Sequence, residues 1–197
     1  KLYPNAAVEL DYGTAFELMV ASILAAQNTD VNVNRITPEL FRKYRTPQDY
    51  LSVPVEELEQ DIKSSGFFRQ KAKAIRAVSQ MLIEDFNGEM PQTMEEMLRL
   101  PGVGRKTANV VLGEAFAVAS GIVVDTHNLR LSKLLGISEQ NTADKIEKEL
   151  LELVPKKDWI KYGQLITWHG RRTCNAKKPN CPECSLADIC PSVKTES

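Results

Sequence analysis

Apolar residues recur along this chain three and four residues apart, and nowhere alternate over a useful length as a half-buried strand would. The first such stripe is Phe16, Met19, Val20, Ile23 and Leu24, with Thr14 and Glu17 at capping-box spacing where its helix opens. Residues before Thr14 read as irregular. Helices are expected from about Asp30 to Tyr44 and from about Pro54 to Lys63. The next has Ile75, Val78, Leu82 and Phe86 as its inner face and carries Lys71, Lys73 and Arg76 outward. Thr93 and Glu96 repeat the capping-box spacing and open a short helix ending near Leu100. A longer one follows, with Ala108, Val111, Leu112 and Ala115 on one face. Further helices are expected near 127–135, 142–153 and 156–168. The predicted fold class is all-α.

Between two of these helices stands Leu100-Pro101-Gly102-Val103-Gly104, which reads as a tight hairpin. Gly102 and Gly104 let the turn take positive φ and let another molecule approach the backbone. The helix after it starts with free N–H groups and a positive dipole end, which suits a phosphate oxygen. Lys106 lies in that first turn, away from the apolar face and on the side of Asn109 and Gly113. It reads either as a solvated or phosphate-contacting cation, or as an amine whose charged form the dipole opposes and whose neutral form is a nucleophile. Asp125, in Val124-Asp125-Thr126-His127, follows an apolar run and precedes a leucine-rich helix, so it reads as an N-cap. Such a carboxylate is fixed in direction, which a catalytic carboxylate also needs.

At 197 residues the chain is long enough for a substantial core, and 43% hydrophobic with 26% charged residues is ordinary for a globular protein. No run reaches the length of a membrane span and no charged-then-apolar leader is present, so an intracellular location is expected. The net charge of −1 gives no hint of a nucleic-acid partner, but its distribution is uneven. Residues 63–78 and 171–178 hold basic residues without acids, including Lys177 and Lys178, while acids gather at 56–61 and 139–152. Segregation of this kind permits a basic face on a neutral protein, though short basic runs are also ordinary solvated surface.

The chain's four cysteines, Cys174, Cys181, Cys184 and Cys190, fall in one short tail with spacing C-x6-C-x2-C-x5-C. Their closeness in sequence favours a shared metal centre over disulfides in an intracellular protein. Zinc and an iron–sulfur cluster both take four thiolates, and spacing alone does not decide between them.

The hairpin LPGVGRKTA, the lysine two residues past its last glycine, SILAAQNTDVNVN, VDTHNLRL and HGRRTC with its cysteines together closely resemble the helix-hairpin-helix DNA glycosylases. Within that superfamily the chain resembles the endonuclease III family, over nearly its whole length. The resemblance implies two helical lobes flanking a DNA-binding cleft: residues 8–118 with the helix-hairpin-helix, and residues 119–197 plus 1–7 with a [4Fe–4S] cluster on the four cysteines. It implies a monomer that acts on double-stranded DNA holding damaged bases or abasic sites, and removes oxidised pyrimidines by Schiff-base chemistry and β-elimination. Lys106 would be the nucleophile and Asp125 its partner. Gln27 and Phe67 would support the opened base stack, Phe67 being larger than the leucine usual there. Gly102, Val103, Gly104, Arg105 and His127 would contact DNA, as would Lys177 and Lys178 on the loop the cluster fixes. Asn28 departs from the family's usual small residue, and the 113–121 link is slightly longer. Two rival readings are a monofunctional adenine-mismatch glycosylase, whose relatives generally lack a lysine at position 106, and a non-catalytic DNA-binding or electron-transfer module, which would need neither Lys106 nor Asp125.

Overall fold

The structure is a computed structural model that describes residues 3–193. No strand occurs among the described residues, as the helical periodicity of the sequence requires. The chain divides into two compact units, one of Glu9–Val118 and one that joins Lys1–Val8 to Ala119–Ser197. Residues 1–2 and 194–197, the outer ends of the span expected for the cysteine-bearing lobe, lie outside the described residues.

The first unit holds helices α1 (Ala15–Leu24), α2 (Asp30–Lys43), α3 (Pro47–Ser52), α4 (Val55–Asp61), α5 (Phe68–Phe86), α6 (Met94–Met97) and α7 (Arg105–Phe116). Helix α1 is its centre and packs against α2, α5 and α7. Being enclosed on several sides, α1 buries Leu18 and Ala21 as well as most of the predicted stripe. The Thr14 hydroxyl accepts the Glu17 N–H at 3.1 Å, half of the expected capping box. The Glu17 carboxylate reaches one residue further out and takes the Gly13 N–H instead. At α6 the Thr93 hydroxyl accepts the Glu96 N–H and donates to the Glu96 carboxylate, so this short helix starts where its capping pair predicts.

Two findings in this unit depart from the sequence reading. Helix α3 was not expected, because six residues are too few for a periodic stripe. Its signal was chemical: Thr46 and Asp49 form a complete capping box, with Pro47 in the first turn. The second departure concerns α5, two of whose cations face inward. Arg76 donates to the carbonyls of Tyr50 and Val53, each at 2.8 Å, and so ties α5 to the end of α3. Lys71 is buried, and only Lys73 of the three is exposed. The reason is that α5 packs against α1, α3 and α4, and the unpaired carbonyls at helix ends are acceptors that a long basic side chain can reach.

The second unit holds α8 (Thr126–Leu134), α9 (Ala143–Leu153) and α10 (Trp159–Arg172) around a core of Ile122, Val124, Ile146 and Leu150. Helix α10 runs four residues past its expected end. It crosses α8 closely at Gly170, where an added Cβ would lie 2.6 Å from Leu131 Cδ1 and 2.9 Å from His127 Cβ. A side chain there would force the helices apart. The segment before Val8 lies along α10: Lys161 donates to the carbonyls of Pro4 and Ala6, and the Trp168 indole donates to Ala7 at 2.7 Å.

Candidate active site

The hairpin is closed by the Val103 N–H on the Leu100 carbonyl at 3.1 Å. Val103 is buried, so its side chain anchors the turn and only its backbone is open to a partner. Gly102 has φ of +75°, as a glycine turn demands, but Gly104 is extended at −95°. Of the two glycines, therefore, only Gly102 uses the positive-φ freedom expected of both. Gly104 is the N-cap of α7 and offers no side-chain cap, and the first turn of α7 contains no acid. A Cβ built at either glycine would meet no atom within 4 Å, so the backbone is approachable from outside. The first N–H groups of α7 thus combine partial positive charge with open access, the arrangement an anionic oxygen fits. Arg105 and Lys106 stand in the same turn, and Lys106 is exposed.

Gln27 and Phe67 come together with the hairpin. Both line a cavity of about 370 Å³ whose wall also contains Gly102, Val103 and Thr107. Both adopt the left-handed conformation, at φ of +52° and +48°. For residues other than glycine that conformation costs on the order of 1–3 kcal/mol each, and such strain concentrates at functional sites. Phe67 is 59% exposed, a large apolar ring turned to solvent. It is not the core contact that a residue in a helix–helix turn would most simply be. Sequence reasoning missed Lys71, which lines the same cavity, is 5% exposed, and donates to the carbonyls of Leu24 at 2.8 Å and Ser65 at 2.7 Å. Burial pushes its ammonium below the ordinary lysine range. The departure at Asn28 has a local account, since its oxygen accepts from the Thr29 N–H and from the Asn32 amide.

In the second unit Asp125 is the N-cap of α8, as its sequence position indicates, and its Oδ1 accepts the Asn128 N–H at 2.8 Å. Its Oδ2 accepts the Thr167 hydroxyl of α10 at 3.0 Å. A carboxylate has about four lone-pair directions, so two accepted bonds fix its plane and leave acceptor capacity. Thr167 lacks any sequence signal, because nothing local links it to a residue 42 positions earlier. His127 is half-buried and packs against Gly170.

All four cysteines are free thiols and line one cavity of about 350 Å³. Yet among the described residues no three His, Cys, Asp or Glu side chains converge closely enough to hold a metal ion. The two facts are compatible. A single zinc needs every sulfur about 2.3 Å from one point, whereas a cluster that gives each thiolate its own iron needs a wider cage. The donor set, four thiolates lining one cavity, suits a thiolate-bound metal centre. The cysteine cavity is braced at its wall: Arg130 donates to the Cys174 carbonyl and stands 3.7 Å from its Sγ, and His169 Nε2 stands 3.6 Å from Cys184 Sγ. His169 is 4% exposed, and burial, followed by the Arg130 charge, lowers its pKa. It lies in the HGRRTC stretch, but nothing local in the sequence marks its contact with Cys184. Lys177 and Lys178 are exposed on the Cys174–Cys181 loop, and Arg172 stacks on Trp168 at 3.7 Å.

Residues 20–156 match the HhH-GPD superfamily of base excision DNA repair proteins, and the chain belongs to that family. Its curated relatives include endonuclease III of Synechocystis sp., 48% identical over 98% of this chain and 89% of that protein. Endonuclease III of Bacillus subtilis is 50% identical over 96% of this chain and 86% of that protein. Among solved structures, a non-covalent endonuclease III–DNA complex superposes with a TM-score of 0.93 at 46% identity, over 97% of this chain and 89% of that one. A trapped covalent endonuclease III–DNA intermediate gives the same TM-score and identity, over 90% of its chain.

Proposed function

We propose that this protein is a bifunctional DNA glycosylase and abasic-site lyase of base excision repair, acting on oxidised pyrimidines in double-stranded DNA. The observation that carries the reading is Lys106 itself: an exposed amine in the first turn of an uncapped helix, beside an open glycine backbone. The damaged nucleotide must leave the stack, since its anomeric carbon is out of reach inside the duplex. Phosphate oxygens dock on the α7 N–H groups and on Lys177 and Lys178, which position the duplex without reading its sequence. Gln27 and Phe67 hold the opened stack, with Phe67 as an apolar wedge. The Lys106 amine attacks C1′, the glycosidic bond breaks, and the base departs as the sugar ring opens to an imine on Lys106. Loss of a proton from C2′ then expels the 3′ phosphate by β-elimination, and hydrolysis frees Lys106. Asp125 stabilises positive charge on the sugar and takes up the lysine's proton, oriented by its bonds to Asn128 and Thr167.

Cys174, Cys181, Cys184 and Cys190 would hold a [4Fe–4S] cluster. When bound, it contributes folding energy and electron-transfer capacity rather than a chemical step at the sugar. It would fix the loop that carries Lys177 and Lys178. Metal analysis of protein purified without oxygen should return roughly four irons per chain. One zinc per chain and no iron would contradict the assignment.

The function is tested on a duplex that holds one oxidised pyrimidine. Strand cleavage is expected without alkaline treatment. Release of the base from a strand that stays intact until alkali is added would instead make the enzyme monofunctional.

A further inference from the structure

We infer that Lys71 is a positioning residue for nucleotide extrusion, one buried cation that locks the two left-handed turns presenting Gln27 and Phe67. The inference rests on the proposed function and deepens it. Leu24 is the last residue of α1, and its carbonyl belongs to the set that a helix end leaves without an intrahelical donor. Three residues later the chain reaches Gln27. Ser65 ends the 3-10 turn at Lys63–Ser65, and two residues later the chain reaches Phe67. The Lys71 ammonium bonds both carbonyls at once, at 2.8 and 2.7 Å, although Leu24 and Ser65 lie far apart in sequence. It therefore couples the base of one turn to the base of the other. Both presented residues hold a positive φ that other side chains rarely adopt, and such a conformation persists only where its surroundings over-determine it.

The side chain's chemistry argues against a packing role. No carboxylate pairs with Lys71 among the described residues, and burial lowers its pKa. An ammonium removed from water without a counter-ion is costly, and a methionine would fill the space without that cost. What a methionine lacks is the donors. Two of the three ammonium hydrogens serve the two carbonyls, and the residue also lines the cavity shared by Gln27, Phe67 and the hairpin. With the turns held before DNA arrives, the wedge needs no ordering when the base stack opens.

The test compares single-turnover cleavage of an oxidised pyrimidine in a paired duplex with cleavage at an abasic site in a single strand, where nothing must be unstacked. Lys71→Met should slow the paired substrate about tenfold or more and the single strand less than about threefold. In a Gln27→Ala, Phe67→Ala background, Lys71→Met should cause no further selective loss, because its route of action is gone. Equal loss on both substrates, or a fully additive loss in that background, overturns the inference. If Lys71→Met fails to fold by circular dichroism, Lys71→Arg takes its place. It keeps donors for both carbonyls and should retain the paired-substrate rate within about threefold, and an equal loss on both substrates again overturns the inference. Wild-type protein that cuts neither substrate contradicts the proposed function and the inference together. Wild-type protein that cuts both, with an unselective Lys71 effect, contradicts the inference alone.

Discussion

Helix α7 starts at Gly104, which has no side chain to cap it, whereas α8 starts at Asp125, whose carboxylate takes the Asn128 N–H at 2.8 Å. The two starts lie in different units and follow opposite rules. The α8 start satisfies itself, and even the second carboxylate oxygen is bonded, to Thr167. The α7 start has a glycine at its cap and is surrounded by glycines and cations. A helix end without a side-chain cap leaves stability unclaimed, and on the proposed function a DNA phosphate would complete it. Asp125 teaches the complementary lesson. A residue can be a structural cap and a proposed reactive group together, because the cap uses one lone pair and fixes the others.

Three substitutions break or sharpen this contrast. The largest effect is expected at Asp125→Asn. Asparagine caps as well as aspartate, so thermal stability should hardly move, while single-turnover glycosylase rate falls by roughly 10²–10⁴, the range for losing a general acid–base group. A matching fall in stability would mean that Asp125 serves only the helix. Gly104→Asp converts the open start into a capped one. Denaturant titration should show a gain of a few tenths of a kcal/mol. DNA affinity should drop about tenfold, roughly 1.4 kcal/mol, because a carboxylate occupies the phosphate's place. Unchanged affinity would remove the α7 start from the DNA interface.

The smallest effect belongs to a third start, α3, where Asp49 accepts the N–H groups of Thr46 and Arg45. The Thr46 backbone bond is the chief cause of its lowered pKa. A carboxylate depressed in the folded state contributes stability above its unfolded pKa and loses it as pH falls through the folded value. Asp49→Ala should therefore cost about 1 kcal/mol at neutral pH. That difference should shrink toward zero in denaturation measured below the ordinary carboxylate range. A cost independent of pH would assign the effect to packing.

Reading the sequence recovered those features whose cause is local. The N-caps at Thr14 and Thr93, the stripes of α1 and α7, the hairpin and the N-cap role of Asp125 all depend on residues within a few positions of one another. What escaped depends on distant partners. Lys71 and Arg76 look like ordinary outward cations of an amphipathic helix until α1 and α3 bring carbonyls to them. Thr167 on Asp125 and His169 beside Cys184 are invisible for the same reason. Gly104 shows a finer limit: its glycine predicted positive φ, whereas its backbone is extended and the space beside it is open.

Borohydride trapping on DNA with an abasic site tests the central claim most directly. If the Lys106 amine forms an imine with the sugar, reduction should yield a covalent protein–DNA adduct that maps to Lys106. Lys106→Gln should give no adduct and no strand cleavage, yet bind lesion DNA nearly as well as the wild type. Undiminished cleavage or trapping by the Lys106→Gln protein, freed of other nucleases, would contradict the account.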